Sequence, residues 1–87
     1  MAKLRLTPIE RALLRLPCDH RDIIDGEGRE VGSELVRLGY IFVMFPATKD
    51  HPGAWIDHTA LGAREKMRVL RKIEQAGGPD NVENPPW

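Results

Sequence analysis

The chain has 87 residues, 13 basic and 13 acidic side chains, and a hydrophobic fraction of 41%. That length suits one small domain near the size at which a single core becomes marginal, and the balanced charge argues against strong nonspecific attraction to nucleic acid, which rests on neutralising phosphates. No stretch approaches the roughly 18 consecutive apolar residues of a membrane span. Charge in the first six residues is read as no export signal, and the single Cys18 excludes an internal disulfide, so a cytoplasmic location is expected.

Thr7-Pro8-Ile9-Glu10 is a helix start: threonine caps, proline suits the first helical position, and Glu10 completes a capping box. Ile9, Ala12, Leu13 and Leu16 follow at helical spacing, and Pro17 ends the element, giving a first helix over 8–16. A short second helix over 20–24 is anchored by Ile23 and Ile24 and closed by the turn Asp25-Gly26-Glu27-Gly28. No strand signal stands between these two helices. The third helix spans 29–38, with Val31, Leu35 and Leu38 inward, Arg29, Glu30, Ser33, Glu34 and Arg37 outward, and Gly39 as its stop.

Ile41-Phe42-Val43-Met44-Phe45 is a compact β-branched and aromatic run that predicts a strand. The polar loop Thr48-Lys49-Asp50-His51-Pro52-Gly53 leads into a partner strand over 54–58, so the two make a ribbon. A last helix runs from Thr59 or Ala60 to about Ala76, its inward face drawn from Ala60, Ala63, Met67, Leu70 and Ile73. Gly77-Gly78-Pro79 stops it. Residues 79–87 are short, polar and proline-bearing, and are expected to form a disordered tail behind a domain of residues 1–78.

Charge is distributed in blocks. Lys3, Arg5, Arg11 and Arg15 stand against Glu10 in the first helix region; Asp19, Asp22, Asp25, Glu27, Glu30 and Glu34 outnumber Arg21, Arg29 and Arg37 in the middle; Arg64, Lys66, Arg68, Arg71 and Lys72 outnumber Glu65 and Glu74 in the last helix.

Two segments carry a family resemblance. Leu35-Val36-Arg37-Leu38-Gly39-Tyr40-Ile41 looks like the end of a recognition helix passing into a wing, and Trp55-Ile56-Asp57-His58-Thr59-Ala60-Leu61-Gly62 resembles a second wing strand followed by a threonine-capped helix. Together they resemble the winged helix-turn-helix of small bacterial and phage regulators. The resemblance implies an α+β, mostly α fold with a two-stranded β-ribbon wing, and DNA binding by a transcriptional regulator, with a homodimer presenting two third helices to a two-fold site.

In that reading Arg29, Ser33 and Arg37 face bases and phosphates, Lys49 and His51 reach out from the wing loop, and Lys3 and Arg5 form a basic arm on duplex DNA. The third helix lacks the cluster of arginine, lysine, asparagine and glutamine that reads base edges. The alternative is a protein-binding winged helix that inhibits or assists a larger host complex, as a phage regulator or anti-defence protein would. Asp22, Asp25, Glu27, Glu30 and Glu34 would then meet a basic partner, with Phe42 and Met44 on the interface because a two-stranded ribbon buries one face at most. Cys18, His20, His51 and His58 match no zinc spacing. No catalytic residue, metal or cofactor is therefore expected.

Overall fold

The computed structural model describes residues 2–87, the side chains of residues 24–27 lying outside the description. Helix α1 (Pro8–Arg15) starts on the expected capping box: Glu10 N donates to Thr7 Oγ1 at 3.1 Å and Thr7 N to Glu10 Oε1 at 2.9 Å. The same buried carboxylate also accepts from Lys72 Nζ at 3.0 Å and Arg68 Nη2 at 3.5 Å, so the cap of the first helix is tied to the last. Burial pushes the Glu10 carboxyl up, but the Thr7 backbone N–H and Lys72 outweigh it and leave it below its ordinary value.

Helices α2 (His20–Glu27) and α3 (Arg29–Arg37) follow, and Ala12, Leu13, Leu16, Cys18, Ile23, Val31, Leu35 and Ile56 make one core between α1, these helices and the sheet. The second helix is longer than the sequence suggested. Gly26 continues it and only Gly28, at φ 91°, adopts the left-handed geometry that separates α2 from α3.

The result is a small α+β domain with four α-helices and a three-stranded antiparallel sheet among the described residues. The ribbon of β2 (Ile41–Phe45) and β3 (Trp55–His58) pairs Ile41 with His58 and Val43 with Ile56, with an irregularity at Met44. A strand not foreseen from sequence, β1 (Cys18–Asp19), occupies the other side of β3 and gives the order β1-β3-β2. Two residues are too few to show period-2 alternation; β1 is a strand because β3 offers it an edge.

Helix α4 (Ala60–Gln75) is fixed by a close contact at its first turn. Thr59 N donates to Tyr40 O at 2.9 Å, Thr59 Oγ1 donates to Gly39 O at 2.5 Å and accepts from Gly62 N at 3.1 Å. A Cβ on Gly62 would lie 2.1 Å from the Tyr40 carbonyl oxygen. The helix must therefore turn Gly62 toward the ribbon base, and Val69 and Ile73 follow Gly62 inward. The expected inward face was off by about a quarter turn: Ile73 is buried as expected, but Met67 and Leu70 are 51% and 40% exposed, and Ala60 is exposed with them.

The tail expected to be disordered is docked instead. After a 3₁₀ turn (Pro79–Asn81), Leu4 and Val82 form a parallel bridge, with Leu4 N donating to Asn81 O at 2.9 Å and Glu83 N to Leu4 O at 2.7 Å. Asn84 then pairs with the Leu6 backbone in both directions, at 2.7 and 2.8 Å. Leu6, Val69, Ile73 and Val82 close a second core. A mostly polar tail docks because one valine and one amide match the N-terminal segment. No helix among the described residues is long and apolar enough to cross a membrane.

Two substitutions test these contacts in thermal melts. Gly62→Ala should destabilise by about 1–3 kcal/mol, because the methyl meets backbone rather than a mobile side chain. Asn84→Ala should cost about 1–3 kcal/mol by leaving the Leu6 amide groups unpaired; an unchanged midpoint would mean that the docked tail adds nothing to stability.

Candidate functional site at the third helix and the β-ribbon

Helix α3 buries Val31, Gly32 and Leu35 and leaves Arg29, Glu30, Ser33, Val36 and Arg37 exposed. Arg29 and Ser33 line a groove of about 240 Å³ with His20, Gly32, Val36 and Ile41, where the helix meets the base of the ribbon. Arg37 is differently placed. Its Nε donates to Glu34 Oε2 at 3.0 Å and its Nη2 to Glu34 Oε1, a fork-to-fork pair along the helix. The hydrogen bonds hold the Glu34 carboxyl below its ordinary value and raise the Arg37 guanidinium further. Any contact of Arg37 with a base or phosphate must first compete with Glu34.

Strand β2 of the ribbon is apolar on both faces. Phe42 and Met44, singled out from sequence, lie on its surface, joined by Val43, Phe45 and Trp55, so that five large side chains are each between 38% and 64% exposed. The last three were not singled out. Their signal was present in the unbroken apolar run, since a ribbon that projects past a small core cannot bury either face along its whole length. Neither Tyr40 nor any residue of β2, Pro46 or Ala47 carries a charge.

The polar loop beyond β2 is pinned back to the sheet by Asp19, which sequence reading did not identify. Its carboxylate accepts from Arg21 N at 2.8 Å, Arg21 Nε at 3.1 Å and Arg21 Nη2 at 3.0 Å, and meets His51 Nε2 at 2.9 Å. Gly53 lies so close that a Cβ there would sit 2.2 Å from Asp19 Oδ1. The hydrogen bonds from the Arg21 side chain, then from its backbone, hold the Asp19 carboxyl far below the usual carboxylate range. The only local hint in the sequence was the Asp-x-Arg spacing of Asp19 and Arg21. His51 therefore turns toward β1, while Lys49 is exposed with no partner among the described residues.

The remaining candidates are dispersed. Asp22 and Glu30 are exposed, Glu34 is engaged by Arg37, and the Asp25 and Glu27 side chains lie outside the described residues. Lys3 is exposed, but Arg5 pairs with Glu83 at 3.0 Å on a segment zipped to the docked tail, so the two do not form a free arm. The Cys18 thiol is buried, and burial together with the Asp22 charge pushes it up to about 11, which keeps it protonated at neutral pH. No protein-family model matches the chain, and no curated protein or solved structure does.

The Asp19 cluster generates a pH prediction. A carboxyl lowered in the folded state contributes stability that is present above its unfolded value, about 4, and is lost as pH falls through the folded one. Wild-type protein should thus lose stability below about pH 4, and Asp19→Asn should be less stable at neutral pH with a shallower acid limb. Parallel stability curves for the two proteins would remove Asp19 from the acid response.

Proposed function

We propose that this chain is a winged-helix module that acts by binding another protein, with β2 and β3 as its wing and the adjoining face of α3 as the rest of the contact. The order α1-β1-α2-α3-β2-β3-α4, with β3 central in the sheet, supports the winged-helix reading. The observation that carries the function is the ribbon: Phe42, Val43, Met44, Phe45 and Trp55 are exposed together, and no residue of β2 carries a charge. Burying a side chain of this kind stabilises by about 1.5–3 kcal/mol, so a protein surface that covers several of them gains far more than a phosphate backbone would. A role in inhibiting or assisting a larger complex fits such a surface. No catalytic residue enters this reading.

DNA binding is the second reading, favoured by Arg29 and Ser33 in the groove beside the ribbon. It uses few cations. Arg37 is engaged by Glu34, His51 by Asp19, and the net charge is zero.

Mobility shift on random duplex DNA across a salt series, beside capture from host lysate, separates the two. The expected result is little or no shift and a stoichiometric protein partner that is retained by wild type and lost by the Phe42→Asp/Phe45→Asp variant. A salt-sensitive shift that Arg29→Ala weakens, with no captured protein, would move the function to DNA.

A further inference from the structure

The rotation of α4 leaves a second surface, independent of the ribbon and of any function proposed for it. Ala60, Ala63, Met67 and Leu70 follow one another at steps of three, four and three residues, the spacing of a helix-pairing seam. Met67 and Leu70 are partly exposed, and Trp87 is 62% exposed. The seam runs between two grooves: one of about 470 Å³ lined by Ala63, Arg64, Met67 and Arg71, the other of about 370 Å³ lined by Leu70, Ile73, Pro79 and Trp87.

The charges beside this seam decide what it can hold. Arg64 and Arg71, seven residues apart, border the first groove, and both are exposed with no partner among the described residues. The other arginine of this helix, Arg68, is already held by Glu65 and Glu10. A second copy laid antiparallel on the seam, Ala60 against Leu70, would bring Arg64 beside Arg64 and Lys66 of its mate, a like-charge contact. An acidic helix meets both arginines with opposite charge.

We infer that the outer face of α4 is a docking surface for an acidic amphipathic helix, whose apolar side chains lie along Ala63, Met67 and Leu70 and whose carboxylates meet Arg64 and Arg71. The seam from Ala60 to Leu70 covers three turns, so the bound segment needs a helix of roughly 15 Å. Trp87 and Pro79 form the apolar end of the surface. The docked tail, through Val82 and Asn84, is what brings them there.

The chain has two tryptophans, so Trp55→Phe leaves Trp87 as the reporter on this face. The probe is a synthetic helical peptide with leucines at seam spacing and glutamates beside them, compared with its lysine counterpart by Trp87 emission and by calorimetry. The glutamate peptide should bind saturably and the lysine peptide should not. Arg64→Glu/Arg71→Glu should weaken the glutamate peptide on the order of tenfold and make the lysine peptide the better ligand, since two exposed ion pairs are converted to repulsions. Equal binding of both peptides to wild type, or no saturable binding by the glutamate peptide while thermal melts show an intact fold, overturns the proposal. A concentration-dependent dimer that Met67→Lys disperses also overturns it, because the occupant would then be a second copy.

Discussion

The approach of Gly62 to the Tyr40 carbonyl is the constraint on which the remaining architecture depends. With the Cβ position only 2.1 Å from that oxygen, any side chain there would push the start of α4 away from the end of the ribbon. Thr59 reinforces the junction by donating to Gly39 O and Tyr40 O while capping the helix through Gly62 N. The contact fixes the rotation of α4 about its own axis. Val69 and Ile73 consequently point toward Leu6 and Val82, which is why a second core exists and why the C-terminal segment has something to dock on. The same rotation turns Met67 and Leu70 outward. One glycine thus sets both the inner packing and the outer surface of the last helix.

Zero net charge does not mean an idle charge distribution. Glu10 gathers Lys72 and Arg68 at the junction of α1 and α4, Asp19 gathers Arg21 and His51 beside the ribbon, Glu34 holds Arg37, and Glu83 holds Arg5. The exposed pairs among them, Arg37 with Glu34 and Arg5 with Glu83, add little stability individually, about 0–1 kcal/mol. Their larger effect is on availability. An arginine in a bidentate pair presents fewer free donors to a ligand, so charge counted along the sequence overstates what α3 and the loop can offer to phosphates. Arg64 and Arg71 differ because no carboxylate among the described residues reaches them.

Much of the fold was legible where one local signal decided the outcome. The Thr7 capping box, the stops at Gly39 and Gly77, the Val31 and Leu35 stripe and the Ile41–Phe45 strand all follow from short-range chemistry. Three features depended on contacts that no local signal encodes. Strand β1 needs the edge of β3, the tail needs Leu4 and Leu6, and the phase of α4 needs Tyr40 O. In α4 the apolar pattern misled for a physical reason: Ala60, Ala63, Met67 and Leu70 form the more regular stripe, and periodicity cannot tell a stripe that faces the domain's own core from one that faces solvent. At the candidate site, Phe42 and Met44 were legible as an apolar excess, whereas the engagement of His51 by Asp19 joins residues 32 positions apart and left no trace in either neighbourhood.

The ribbon is held at both ends, which bears on what it can recognise. At its base the Thr59 and Gly62 contacts fix Tyr40; beyond its far end Asp19 holds His51, and Thr48 and His51 close the loop through Thr48 N to His51 O at 2.7 Å. Phe42, Val43, Met44, Phe45 and Trp55 are therefore displayed on a backbone that has little conformational freedom left to lose on binding, and preordering of this kind lowers the cost of association. A surface built to follow phosphates would place mobile cations at the same positions. Here Arg21 and His51 are both engaged by Asp19, and Lys49 is the one basic side chain of the loop left exposed without a partner among the described residues. In the protein-binding reading proposed above, that arrangement suits a partner with an apolar surface of its own, which would cover the exposed side chains without having to order the ribbon first.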